Sequence, residues 1–306
     1  MSSIYVVVEH FKGEVEDITF EMLGKAKELG DVTAILIGNK ELAAQLGAAN
    51  KVICVDDAQL SEFNPEAYLK VVNDVVSNGN PDMVMIGNTS MGMDIAAGLS
   101  IYQNMPLVAY AAEVASGVIT SQLYGGKLNV ESSVSGKCIV SVISGSFPAD
   151  AGRDGGSPSI EDMAAPDLSG LNVKFKNLIE PEGGDVDITV QDVLISAGRG
   201  IQSDENLPMV EELAAKLGGA VSCSRPIVDN KWLGKTRQVG KSGLKVKPKL
   251  YLALGISGAP EHIEGMKDAE LIIAVNTDPN APIFDYAHYG CTADLFDLIP
   301  ALSSKL

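Results

Sequence analysis

Short apolar runs that stop at glycine or a polar turn recur along the chain, and stretches with helical spacing fall between them. Ile4–Val8 is the first such run, and Phe20, Leu23, Ala26 and Leu29 follow at helical intervals with Gly30 as a stop. Val32–Ile37 predicts a second strand, and Leu42, Ala43 and Leu46 a helix closed by Gly47. Val52–Val55 predicts a third strand, Pro65–Val76 a helix with proline at its start, and Met83–Ile86 a fourth strand. Strands alternating with helices at this spacing build βαβ units around a buried parallel sheet.

The segment Asn88–Ile101 opens polar and glycine-rich and becomes a helix, the kind of corner at which open α/β sheets hold ligands, although every βα turn of this class looks similar. From Val108 to Val142 the pattern changes to short strands with turns at Ser116–Gly117 and Gly125–Gly126. Ser144–Gly170, rich in Gly, Pro, Ser and Asp, reads as an irregular connector with little core of its own. Val173–Leu178 predicts a further strand and Glu180–Asp185 a linker, which divides the chain into residues 1–185 and 186–306.

The α/β pattern then restarts. Strands are expected at Asp192–Ser196, Ala220–Cys223, Leu250–Leu254 and Leu271–Val275. Helices are expected at Asp204–Leu217, Pro260–Met266 and Ala293–Leu302. The fold class is therefore α/β throughout, with an N-terminal parallel-sheet domain of nucleotide-binding type and a second α/β domain.

Charge narrows the function classes. The 306 residues carry a net charge of −17, which argues against a nucleic-acid partner, since phosphates demand a basic face. Yet three of the four arginines, Arg199, Arg225 and Arg237, sit in one stretch of the second half together with Lys231, Lys235, Lys241, Lys245, Lys247 and Lys249. Such a run either holds an anionic ligand or is simply solvated. Cys54, Cys138, Cys223 and Cys291 show no metal-binding spacing and are expected as buried thiols. No signal-peptide pattern opens the chain and no apolar run approaches the ~20 residues a bilayer span needs. A cytoplasmic protein without a membrane span is the expectation.

Four expected strand ends in the second half carry polar turns: Ala197–Gly200, Ser222–Arg225, Gly255–Ala259 and Asn276–Pro279. In a parallel sheet these turns share one edge, where glycine admits close backbone approach to a phosphate and arginine adds charge-assisted bonds. The full GxGxxG of a dinucleotide fingerprint is missing at Gly198. Gly240-Lys241-Ser242 has the tail of a P-loop, but Lys235 stands where the upstream glycine belongs. Ser257, Asp278 and His288 follow the chain order of a hydrolase triad, without the final glycine of a nucleophile elbow.

From about Val190 to Leu306 the ordered strings AGRG, SCSRPIVD, QVGKSG, KPKLYLALGISGAPEHIEGMKDAELIIAVNTDPNAPIF and ADLFDLIP closely resemble the FAD domain of electron-transfer flavoprotein α subunits. The first half resembles that family in outline, as the domain that packs on a β subunit. The resemblance implies a Rossmann-like FAD-binding domain at 186–306 and a role for each matching position. Arg199 would bind FAD at the first turn, and Ser224 and Arg225 would lie beside the isoalloxazine. Val239, Gly240, Lys241 and Ser242 would follow the flavin edge, with the Ser242 hydroxyl or N–H near N5. Ser257, Gly258, Ala259, Pro260, Glu261 and His262 would wrap the diphosphate and ribityl, with His262 near the C2 carbonyl. Asn276, Asp294 and Leu295 would hold the adenosine end. Cationic or hydrogen-bonding groups such as Arg225 and His262 would stabilise the negative charge of one-electron reduction.

The chain departs from the family pattern at several positions. Lys241 and Ser242 stand where relatives commonly have glutamine and threonine, Glu261 where glutamine is usual, and Met93 where an arginine precedes the Asp94 position. Each residue also has a plain reading: Arg225 as the ion-pair partner of Asp229, Asn276 as a turn residue, His262 as a surface or capping residue. The function implied is an electron carrier working with a β subunit, between a dehydrogenase of acyl-CoA type and another redox partner. The alternatives are the α subunit of an NADH-dependent bifurcating complex, or a nucleotide-binding regulatory module.

Overall fold

A computed structural model of the chain describes residues 2–124, 126–178 and 186–306. Two compact units emerge, Met1–Asn177 and Leu178–Leu306. The expected linker Glu180–Asp185, the boundary at 185 and Gly125 of one expected turn lie outside the described residues.

The first unit is built from β1 (Ser2–Val7), the hairpin β2 (His10–Phe11) and β3 (Glu14–Val15), α1 (Asp17–Leu29), β4 (Gly30–Ile37), β5 (Lys51–Val55), α2 (Pro65–Gly79), β6 (Met83–Gly87) and α3 (Ser90–Gln103). It continues through β7 (Leu107–Ala115), β8 (Val118–Leu123), β9 (Leu128–Ser133), β10 (Cys138–Val142) and β11 (Ser159–Asp162). Nine strands form one sheet in the order β11-β5-β4-β1-β6-β10-β7-β8-β9. Pairing is parallel from β11 through β7 and antiparallel for the final two steps. Ile4 and Val6 face one core while Tyr5 and Val7 face the other, so both sides of β1 are buried and its sequence is an unbroken apolar run.

The caps follow the sequence signals. Asn64 accepts from the Glu66 and Ala67 N–H groups ahead of Pro65, and its own Nδ2 donates to the Val173 carbonyl at 2.8 Å. Asn64→Ala should therefore cost about 1–2 kcal/mol, read as a lower urea midpoint at unchanged slope.

Three expectations fail here. Val173–Leu178 forms no strand, and Val173, Phe175 and Leu178 are exposed. Their apolar alternation suits a strand, but among the described residues no strand pairs with their backbone. Ser144–Gly170 in turn is more ordered than a loose connector. Ser159–Asp162 pairs with β5, and Leu168 is buried in the core beside α2. The turn Ala149–Gly152 lies so close to α1 that a Cβ on Gly24 would come within 2.9 Å of Ala151. Arg153 then covers the Phe20 ring and pairs with Asp17. Gly152 and Gly156 of this stretch serve close packing, against Phe20 and Gly47. The expected helix around Leu42–Leu46 is a 3₁₀ turn, Lys40–Gln45.

Glu9, just past β1, is buried. The Thr89 hydroxyl donates to its Oε2 at 2.8 Å, and its backbone N–H donates to Thr19. Burial pushes the carboxyl up to about 7, the Thr89 bond opposing and the Glu16 charge adding to it.

The second unit comprises β12 (Val193–Ala197), α4 (Leu207–Lys216), β13 (Ala220–Cys223), α5 (Arg225–Asp229), β14 (Leu250–Leu254), α6 (Pro260–Met266), β15 (Leu271–Val275), β16 (Tyr289–Cys291) and α7 (Leu295–Ser303). Its five strands are all parallel, in the order β13-β12-β14-β15-β16. Alternate residues again feed two cores, Tyr251 and Ala253 on the α6 side, Leu252 and Leu254 on the side of α4 and α7. Cys54, Cys138 and Cys223 are buried thiols, and burial pushes those of Cys54 and Cys138 up to about 11. Among the described residues no helix is long and apolar enough to cross a membrane.

Candidate functional site

Strand order places a crevice in the second unit. From β12 the chain moves outward to β13, then returns to build β14, β15 and β16 on the other side. A ligand crevice forms at the carboxyl edge where the direction reverses, here between β12 and β14. The two loops leaving those strands cross on glycine. The Gly198 N–H donates to the Leu254 carbonyl at 2.8 Å, and the Gly200 N–H to the Gly255 carbonyl at 3.0 Å. A Cβ on either Gly200 or Gly255 would come within 2.6 Å of the other's Cα, and Gly255 has φ +66°. No larger residue fits that crossing.

A cleft of about 810 Å³ opens over it. One wall is Arg199, Gly200, Ser224 and Arg225; another is the loop Gln238–Ser242; the floor and far side are Gly255–Ser257, Ala259, Glu261, His262 and Asn276. Twelve of the sixteen residues singled out from sequence therefore line one space. Asp294 and Leu295 line a second hollow of about 170 Å³ that shares Gly200, Gly255 and Asn276 with the first. Gly258 and Pro260 shape the loop from behind: Gly258, at φ +87°, backs onto Ile283, and Pro260 opens α6.

Local bonding shows how each wall is held. The Val239 N–H donates to the Cys223 carbonyl, and the Lys241 N–H to the Glu261 carbonyl at 2.7 Å, so the 238–244 loop is tied to both β13 and α6. Gly240, at φ +135°, lies against that same carbonyl, where a Cβ would come within 2.7 Å. The Asn276 amide is committed locally, donating to Ile256 and accepting from Asp278. Asp294 caps α7 through the Phe296 N–H. Arg225 pairs with Asp229 at 3.3 Å, both largely exposed, so its charge reaches the cleft partly compensated. Glu261 and Asp278 add further carboxylates to the lining of Arg199, Arg225 and Lys241.

Comparison with known proteins finds similarity along the whole length of the chain. Residues 4–168 match the model of the electron transfer flavoprotein domain, and residues 187–267 that of the electron transfer flavoprotein FAD-binding domain. The electron transfer flavoprotein subunit alpha of Syntrophomonas wolfei subsp. wolfei is 33% identical over 315 residues, covering 100% of this chain and 99% of that protein. The subunit alpha of Bacillus subtilis is 31% identical over 317 residues, covering 99% and 96%. The lactate dehydrogenase (NAD(+),ferredoxin) subunit LctC of Acetobacterium woodii is 32% identical over 321 residues, covering 99% of this chain and 76% of that protein. The chain belongs to the electron transfer flavoprotein α-subunit family. Membership brings an FAD-binding domain and implies a β-subunit partner. Electron transfer flavoprotein α subunits are electron carriers rather than enzymes.

The cleft suits an anionic dinucleotide. Its glycine crossing lets the β12 and β14 loops pack together beneath it, and Arg199 and Arg225 supply charge-assisted donors. His262, expected as a cationic or hydrogen-bonding group, is not a cation here. It is buried, its Nε2 lies 2.9 Å from the Tyr251 hydroxyl, and Tyr251 donates to Ser196 Oγ at 2.7 Å. Burial pushes its pKa down to about 4, only weakly opposed by the Val239 carbonyl, so His262 is a neutral hydrogen-bonding group.

The triad order Ser257, Asp278, His288 does not assemble. His288 Nδ1 accepts from the Ile272 N–H near the start of β15, while Ser257 and Asp278 lie past the carboxyl ends of β14 and β15. Sequence reading also passed over Gln238 and Tyr251, whereas the expected ion pair of Arg225 with Asp229 forms. Gln238 and Tyr251 are buried polar residues in apolar surroundings, a signal visible only once burial is known.

Proposed function

We propose that the cleft between β12 and β14 holds FAD and that the chain carries electrons between a dehydrogenase, of acyl-CoA type, and another redox partner. The coincidence of the glycine crossing, the clustered arginines and the strand-order reversal at one edge is the observation that supports this reading. Bound FAD supplies reversible one-electron chemistry. Arg199 and the Ser257–Ala259 turn bind the diphosphate, and Asn276, Asp294 and Leu295 shape the adenosine end. Ser224, Arg225 and the Val239–Ser242 loop flank the isoalloxazine, with the Ser242 hydroxyl toward N5. His262, neutral and buried, orients the pyrimidine side through a hydrogen bond. The first unit is the surface for the β subunit.

Purified with its β subunit, the chain should show flavin absorption at one FAD per cleft. That flavin should bleach with an acyl-CoA and its dehydrogenase. Absence of flavin bands in the complex would sink the assignment. The 32% identity to the LctC subunit supports a second reading, participation in an NADH-dependent bifurcating complex. Bleaching by NADH without any dehydrogenase, together with a second FAD in the complex, would favour it.

A further inference from the structure

The reading above leaves Gln238 without a role. Its relative exposure is 4%, and its backbone is bonded at both ends: its N–H donates to the Lys235 carbonyl, and its carbonyl accepts from the Leu244 N–H at 2.7 Å. A Cβ on Gly243 would come within 3.0 Å of the Gln238 Cγ, so the loop is moulded around this side chain. Held in that position, Gln238 donates from Nε2 to Ser242 Oγ at 2.9 Å, and Ser242 lines the cleft. A serine hydroxyl has one proton and two lone pairs. With one lone pair taken by the amide, the proton is left for whatever occupies the cleft.

We infer that Gln238 is a positioning residue: its amide commits the Ser242 hydroxyl to act as a hydrogen-bond donor toward the cofactor. This rests on the proposal that FAD fills the cleft with Ser242 toward N5. A fixed donor there favours a flavin nitrogen that keeps its lone pair over one that has taken up a proton. Gln238 thereby sets which protonation state the flavin adopts after one-electron reduction, acting through the Ser242 hydroxyl. The preference is built in because the amide is buried and its backbone is anchored, so the hydroxyl pays no reorganisation when the charge arrives.

Stepwise reduction of the αβ complex under an inert atmosphere tests this, since the one-electron-reduced flavin is red without a proton on N5 and blue with it. Gln238→Glu keeps the shape but presents only acceptors, so it takes the Ser242 proton and turns the hydroxyl's lone pair to the cleft. The red-to-blue ratio should fall by roughly tenfold or more, the scale of a hydrogen bond to a charged group. Gln238→Met removes the bond without reversing it and should lower the ratio by roughly threefold. In a Ser242→Ala background both changes should shrink to what the added charge alone produces.

A Gln238→Glu ratio within about twofold of the parent overturns the inference, because the amide oxygen rather than the nitrogen would then face Ser242. So does an equal change in the Ser242→Ala background. FAD stoichiometry checks that each variant folds, and if Gln238→Glu fails to load, Gln238→Met decides by the same criterion. Ser242→Ala separates the two levels. If that variant binds FAD with an unaltered ratio, the placement of Ser242 at N5 is wrong and the inference falls with it. If it changes the ratio while the Gln238 variants are silent, only the role of Gln238 is lost.

Discussion

Gly255→Ala should strip the chain of its cofactor while leaving most of the fold in place. Gly255 has φ +66°, and an added Cβ would come within 2.6 Å of the Gly200 Cα. The left-handed conformation costs an alanine about 1–2 kcal/mol, and relieving the clash costs about as much again, because both colliding atoms are backbone. The cheap relaxation is to part the β12 and β14 loops. FAD binding must then close them again, so the dissociation constant should rise by roughly 100-fold. Gly218→Ala is the control: φ is +65°, but nothing lies within 4 Å of its Cβ position. It carries the conformational cost alone and should retain FAD. Release of flavin fluorescence on dilution of each variant complex measures the difference, and equal retention by the two variants would refute the crossing as the cofactor cradle.

The second large effect is a pH-dependent gain in stability from Glu9→Gln. The native carboxyl is raised from 4.5 to about 7, chiefly by burial. Its contribution is thus fully present below pH 4.5, where both folded and unfolded states are protonated. It is lost as pH rises through 7, because the unfolded carboxylate ionises freely and the buried one does not. At pH 8 the parent should carry a penalty on the order of 2–3 kcal/mol that glutamine removes, with the Thr89 hydroxyl free to turn and bond the amide. Urea melts from pH 4.5 to 8 should show the variant and parent diverging steadily. A constant difference across that range would mean that Glu9 is ionised throughout. His262 works in the opposite sense: with its folded pKa near 4 its contribution is present above about pH 6.5 and lost as pH falls toward 4.

Most elements of the second unit were legible, although α5 and β16 were not expected. Leu250–Leu254, Pro260–Met266 and Leu271–Val275 have the expected bounds, because each is a local signal: an apolar run or a proline start punctuated by glycine or asparagine. Where pairing rather than burial decides, the signal disappears. Ser159–Asp162 is exposed at every residue and is a strand only because its backbone meets β5. Val173–Leu178 has the alternation of a strand but, among the described residues, no strand to pair with.

The ordered motifs of the second half pointed to the family and its cofactor through their resemblance to electron-transfer flavoprotein α subunits, which the family comparison bears out. Apolar periodicity likewise determined the α/β class, since a parallel sheet buried on both faces needs continuous apolar strands. Only the tertiary structure decided the states of the groups at the site. The charge of His262 depends on burial beside Tyr251, the free charge of Arg225 on Asp229, and the direction of the Ser242 hydroxyl on the Gln238 amide. Protonation and hydrogen-bond polarity follow from solvent exclusion and from neighbours in space, and residue spacing along the chain carries neither.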